Sequence, residues 1–226
     1  METVTGNSYT LVNGDSFDYI KSMKPASVDM ICTDPPYGMD YQSGMRKEKH
    51  AKIANDDNLD WLPEFINQCY RVAKPNTGHY FFCSWHKIDE FKKIIEKVFV
   101  LKNILIWDKG QPGMGDLKHD FAPQCEFIIF AQKGQRAING KRTPNIMRYP
   151  RTQNALHPTQ KPVPLIAHLI TKFSSPGDII FDPFMGSGTT GVAAKDTQRK
   201  FLGIEIGEEW FATSKTRIKA NSWGLF

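Results

Sequence analysis

The chain has 226 residues, 40% of them hydrophobic, and a formal net charge of +5, which allows one sizeable buried core and little beyond it. It has no apolar run long enough to cross a bilayer and no basic leader ahead of a short apolar stretch, so neither membrane insertion nor secretion is expected and a cytoplasmic location is. Cys32, Cys69, Cys83 and Cys125 are scattered without metal-ligand or redox spacing, so they are expected as reduced core residues, with no metal site.

Short runs rich in Val, Ile and Phe, bounded by turn residues, predict strands at 9–12, 28–33, 78–84, 101–107, 126–131, 179–182 and 201–204. Segments with helical spacing lie at 61–72, 87–98, 164–173, 190–196 and 208–221. The alternation predicts an α/β fold, doubly wound, with helices on both faces of a mostly parallel sheet. No helical segment separates 101–107 from 126–131, so these two strands are expected to pair as an antiparallel hairpin at one edge. One domain over residues 1–226 accounts for this pattern. Residues 38–60, 110–122 and 134–156 resist assignment, and loops of this length in a compact domain are expected to face substrate.

Charge is unevenly distributed. Lys133, Arg136, Lys141, Arg142, Arg148 and Arg151 fall within residues 133–156, which contain no acidic residue. With Asn, Gln, Thr and Tyr between the charges, the stretch suits phosphate and base-edge contact, although a solvated loop would have the same composition.

Four segments carry chemistry. Thr33-Asp34-Pro35-Pro36-Tyr37-Gly38 directly follows a predicted strand, at the rim where open parallel sheets bind ligands. The prolines stiffen the backbone, leaving the Asp34 carboxylate and the Pro35 carbonyl as a rigid pair of acceptors. Such a pair could take both hydrogens of a planar amine and localise its lone pair, while Tyr37 stacks on the attached ring. The second segment, Asp182-Pro183-Phe184-Met185-Gly186-Ser187-Gly188-Thr189-Thr190, runs from a strand through a Gly-x-Gly turn into a helix whose first N–H groups are free to meet a ligand. Alone it would read as a turn with Thr189 as cap. Glu205 ends the next apolar run, where an acidic residue commonly holds ribose hydroxyls. The fourth segment, His157-Pro158-Thr159-Gln160-Lys161-Pro162, precedes the helix leading into the glycine strand.

Taken together, Asp34-Pro35-Pro36-Tyr37, His157 to Pro162 and Asp182 to Thr189 resemble the β-class DNA amino-methyltransferases, in which the catalytic segment precedes the cofactor segment. The resemblance spans essentially the whole chain. It implies a seven-stranded S-adenosylmethionine-dependent methyltransferase fold in circularly permuted order, with transfer of a methyl group to a flipped-out base of double-stranded DNA. It further implies that Asp34 to Tyr37 are catalytic and that Thr33, Asp34, Asp182, Pro183, Phe184, Gly186, Ser187, Gly188 and Thr189 line the cofactor. By the same resemblance Glu205 holds the cofactor ribose, His157, Thr159 and Lys161 approach its carboxylate, and Asp15 lies near its adenine. Asp15 equally suits the cap of a helix. Asp at the first catalytic position is the form common among adenine-N6 members, whereas cytosine-N4 members more often have Ser. A large target-recognition insert is missing, so residues 133–156 are the expected reader of sequence, and Arg46, Lys47, Lys49 and Lys52 are expected to close over the flipped base. So little reading surface goes with a short recognition site, relaxed specificity, or help from a second subunit in a homodimer.

Overall fold

The computed structural model describes residues 1–37, 58–152 and 160–220. In chain order they form β1 (Glu2–Thr5), β2 (Tyr9–Asn13), α1 (Ser16–Ser22), β3 (Met30–Thr33), α2 (Leu62–Val72), β4 (Thr77–Cys83) and α3 (Ile88–Ile95). There follow β5 (Val100–Asp108), β6 (Cys125–Lys133), β7 (Ile146–Arg148), α4 (Val163–Phe173), β8 (Ile179–Asp182), α5 (Thr189–Asp196), β9 (Lys200–Glu205) and α6 (Glu208–Ala220).

The strands make one mixed sheet in the order β1-β2-β9-β8-β3-β4-β6-β5-β7. From β2 to β4 neighbouring strands are parallel, and β4 (Thr77–Cys83) is buried along its whole length, as expected of a central strand covered on both faces. Alternation of side chains divides the core in two. Met30, Cys32, Tyr80, Phe82 and Ile180 point toward α4, α5 and α6, while Ile31, Phe81, Cys83 and Phe181 point toward α1, α2 and α3. Helix α2 shows why: Leu62, Phe65, Ile66, Cys69 and Val72 recur at helical spacing and are all buried, giving one apolar stripe against the sheet. The doubly wound arrangement expected from the alternation of elements is therefore present.

Among the described residues the sheet has nine strands, not seven. The two additions are the edge strands β1 and β7, four and three residues long. Their mostly exposed residues give no apolar run from which a strand could be read. The β5–β6 pair is antiparallel as expected, but β7 pairs in parallel with β5 and takes the edge position from it. Helix α1 also escaped the periodicity, being only seven residues long. Cys32, Cys69 and Cys83 are buried free thiols, whereas Cys125 is exposed because it opens β6 at the sheet's rim.

Gly203 in β9 is required by packing. A Cβ there would lie 2.4 Å from Met185 Sδ and 2.5 Å from Phe201 Cε1, both in the core. Gly203→Ala is expected to destabilise the fold by about 1–3 kcal/mol through overpacking. Urea denaturation checks it, and an unchanged midpoint would mean that Met185 and Phe201 yield without cost.

Candidate active site

The parallel register determines which residues meet. Because β3 lies between β8 and β4, the ends of β3 and β8 emerge side by side although 149 residues separate Thr33 from Asp182. Thr33 Oγ1 donates to Asp182 Oδ1 at 2.8 Å, Thr190 Oγ1 of α5 donates to Oδ2 at 2.7 Å, and the Phe184 N–H reaches Oδ1 at 3.1 Å. Asp182 is only 4% exposed, and burial pushes its carboxyl up to about 6 against the opposing effect of these three donors.

The turn that follows has a cradle. Gly186 and Gly188 have φ values of +50° and +82°, in the left-handed region that favours glycine. Nothing lies within 4 Å of a Cβ placed on Gly186, so the backbone there is open to a ligand, whereas a Cβ on Gly188 would meet Ser214 Cβ at 2.9 Å. Glu205 closes one side: its Oε2 accepts from the Gly186 N–H at 2.9 Å and its Oε1 from the Gly207 N–H at 2.8 Å. Burial raises the Glu205 carboxyl, and the backbone donors of Gly207, Gly186 and Ile206 oppose it. Asp15 caps α1, its Oδ1 accepting from the N–H groups of Phe17 and Asp18. The same turn is tied to the cradle through the Gly14 N–H on the Glu205 carbonyl and the Ser16 hydroxyl on the Pro183 carbonyl. Phe184 packs its ring against Phe65 and Trp61 at 5.3 and 6.0 Å, and the Ser187 hydroxyl accepts from Arg217 of α6 at 2.9 Å. Thr189, the first residue of α5, is buried.

Next to the cradle, Pro35 is buried and Asp34, Pro36 and Tyr37 are half-buried. The Tyr37 hydroxyl donates to Asp34 Oδ1, and burial, followed by the charge of Asp34, holds its phenol well above the usual range. Lys161 Nζ reaches Asp34 Oδ2 at 2.6 Å and Glu126 Oε2 at 3.0 Å, and Lys109 Nζ reaches Glu126 Oε1 at 2.7 Å. Burial works against the charge of Lys161, yet Asp34 and Glu126 outweigh it and raise the ammonium above its ordinary value. Burial likewise opposes ionisation of Glu126, and Lys161 and Lys109 together hold it down to about 2.

Glu126 and Lys109 were not among the candidates read from the sequence. Glu126 opens a predicted strand, and only the antiparallel direction of that strand puts it on the catalytic rim. Of the expected DNA contacts, Arg148 ends β7, which runs parallel to β5 toward this rim, and Arg151 lies just beyond it. Arg148 is anchored by Asp108 Oδ2 at 2.8 Å while 79% of its side chain stays exposed. Arg136 is at the opposite rim, hydrogen-bonded to Ser175 at 3.2 Å and 3.7 Å from Asp178, because β6 ends beside the start of β4. Lys141 and Arg142 lie beside the last turn of α4, where the Lys141 carbonyl accepts from Lys172. Arg46, Lys47, Lys49, Lys52, His157 and Thr159 lie outside the described residues.

Asp34, Tyr37 and the paired Lys161 thus stand beside an open glycine cradle at one rim of the sheet. The DNA methylase family model, covering N6 and N4 enzymes, matches residues 28–153 and 139–216. The chain belongs to this family, the β-class DNA amino-methyltransferases. It is 30% identical to the DNA adenine methyltransferase YhdJ of Escherichia coli, over 94% of this chain and 83% of that one. It is also 30% identical to the type II methyltransferase M2.DpnII of Streptococcus pneumoniae, over 96% of this chain and 91% of that one. Among solved structures, the M1.HpyAVI–SAM complex superposes with a TM-score of 0.74 at 31% identity, over 92% of this chain and 99% of that one. The PvuII cytosine-N4-specific methyltransferase, at 20% identity, shares the fold with a TM-score of 0.78 over 94% of this chain and 87% of that one.

This DNA methyltransferase therefore uses S-adenosylmethionine, and the cradle fits it. Each Glu205 oxygen takes one backbone N–H and keeps acceptor capacity for ribose hydroxyls, while the space over Gly186 admits a close approach. No described helix is long and apolar enough to cross a membrane.

The raised Asp182 carboxyl makes a pH prediction. A folded-state value of about 6, above the ordinary 3.8, means that its contribution to stability is full below about pH 4 and is lost as pH rises through 6. Relative to Asp182→Asn, the cofactor-free protein is expected to lose about 3 kcal/mol across that window. Urea denaturation at a series of pH values tests this, and a stability difference that stays flat would refute it.

Proposed function

We propose that the chain is an adenine-N6 DNA methyltransferase that acts on an adenine turned out of the duplex. One observation carries the reading: the Asp34 carboxylate and the Pro35 carbonyl are adjacent acceptors on the rim that also holds the cofactor cradle. When bound, S-adenosylmethionine supplies a methyl group activated by its sulfonium. Asp34 accepts one hydrogen of the exocyclic amine and Pro35 the other, which localises the nitrogen lone pair and stabilises positive charge as it develops. Tyr37 gives up its hydroxyl contact with Asp34 and stacks on the base. Stacking of this kind contributes roughly 1–3 kcal/mol, an amount comparable with the few kcal/mol needed to unstack a base. Asp at position 34 is the form common among adenine-N6 members of the family, and the likeness to the DNA adenine methyltransferase YhdJ points the same way.

We assign sequence reading, within residues 133–156, to the part that begins at the end of β7 with Arg148. Anchored by Asp108, Arg148 is pre-ordered for a base edge or phosphate. The arm between β5 and β6 supports the same face: Met114, Leu117 and Phe121 are 64%, 73% and 94% exposed, beside Lys118 and Arg151. Apolar side chains on such a face suit the gap that a flipped base leaves in the stack.

Incubation with labelled S-adenosylmethionine and unmethylated genomic DNA, followed by nucleoside analysis, should give N6-methyladenine. N4-methylcytosine would overturn the base assignment, and transfer to RNA alone would overturn the substrate. Asp34→Ala should lower the single-turnover rate at saturating cofactor about a hundredfold or more. Arg148→Ala should weaken DNA binding and reduce the slope of log affinity against log salt by about 0.9, as one lost phosphate contact requires. An unchanged slope would remove Arg148 from the phosphate contacts.

A further inference from the structure

We propose that Glu126 is a positioning residue that offsets the charge of Lys161 beside the Asp34 carboxylate, and that Lys109 holds Glu126 in that place, roles that rest on the methyl-transfer reading above. Lys161 creates a problem for that chemistry. It lies 2.6 Å from the acceptor that must receive the substrate amine, and its side chain is only 9% exposed, so water does little to screen it. An ammonium paired with Asp34 alone would compete for the carboxylate lone pairs. It would also repel the positive charge that appears on the amine nitrogen as the methyl group arrives.

Glu126 answers both effects. Its Oε2 is shielded from solvent and meets Lys161 as an ion pair at 3.0 Å. Lys161 is thus drawn between two carboxylates instead of being committed to one. Lys109 holds Glu126 in turn, at 2.7 Å on the other oxygen. Both come from the base of the β5–β6 hairpin, where Glu126 pairs in register with Trp107 and the Lys109 N–H donates to the Gln124 carbonyl at 3.0 Å. The ammonium of Lys109 also rests 5.1 Å from the Trp107 ring centroid, which fixes its position. The result is a row of alternating charge, Asp34, Lys161, Glu126, Lys109, in which Lys161 has a carboxylate on each side and whose far end is anchored to the sheet. Lys161 keeps Asp34 oriented, and Glu126 keeps that grip from neutralising the acceptor.

The test is single-turnover methylation of unmethylated genomic DNA by wild type, Glu126→Gln, Glu126→Asp and Lys109→Met, with KM for S-adenosylmethionine and thermal midpoints measured alongside. Glu126→Gln is expected to lower kcat about tenfold, with KM for the cofactor within about twofold of wild type. Glu126→Asp should recover part of the rate, and Lys109→Met should lower it by a smaller factor. Equal rates in wild type and Glu126→Gln would overturn the proposal. So would a loss expressed in the cofactor KM with kcat preserved, which would make Lys161 a cofactor ligand instead. If Glu126→Gln does not fold, the other two variants decide, and wild-type rates in both overturn the proposal. Wild-type protein that methylates no nucleic acid would remove the functional reading and this proposal together, whereas an active wild type isolates the proposal.

Discussion

Asp182 is a carboxylate taken out of water, and the rest of the site depends on how that cost is met. Its two oxygens receive hydroxyls from Thr33 on β3 and Thr190 on α5, with a third donor from the cofactor turn itself at Phe184. Each donor belongs to a different part of the chain. Burying the group without them would cost several kcal/mol, so the requirement for hydrogen bonds becomes a requirement that the catalytic strand, the cofactor turn and the following helix keep one relative position. Asp34 is the residue directly after Thr33. Whatever fixes Thr33 against Asp182 therefore fixes the acceptor pair against the cradle.

A second constraint acts at right angles to the first. Between β4 and β5 the sheet reverses direction at β6, and this one reversal decides what faces the substrate. It carries Glu126 and the arm between β5 and β6 to the catalytic rim and sends Lys133 to the other end, where its ammonium donates to the carbonyls of Tyr70 and Ala73. Lys161 arrives from the start of α4 and finds Asp34 on one side and Glu126 on the other. The charge row is thus a product of mixed strand direction. In a wholly parallel sheet the residue in Glu126's place would lie at the opposite rim.

The sequence made the centre of this molecule legible and its edges obscure, and the difference is physical. Strands β3, β4 and β8 are buried on both faces, so their Val, Ile and Phe runs had no competing explanation. Thr33, Asp34, Asp182 and Glu205 were legible because a strand end followed by a turn fixes where a residue goes. Strands β1 and β7 are short, mostly exposed, and defined by backbone pairing with a neighbour, which leaves no mark in side-chain pattern. Glu126 and Lys109 escaped for a different reason. Each is an ordinary charged residue beside an apolar run, and its meaning depends on strand direction, which periodicity does not encode. Asp15 shows a third case: the cap could be read from the residues Gly14-Asp15-Ser16, and the same turn is tied to the cradle through the Gly14 N–H.

The basic segment shows how strand direction corrects an argument from composition. Six cations without an intervening carboxylate suit phosphate and base-edge contact, yet the segment climbs the length of the molecule, from Arg136 at one rim to Arg151 at the other. At the lower rim Arg136 is near Asp178, and its charge is partly matched within the protein. At the upper rim Arg148 is also paired, but with 79% of its side chain exposed and its guanidinium fixed by one carboxylate oxygen. These two pairings have opposite consequences. The first holds loop to sheet, while the second lowers the entropy that an arginine would lose on meeting DNA and leaves most of its donors available. A local excess of charge thus says that an anion could be bound, and the strands beneath it decide where.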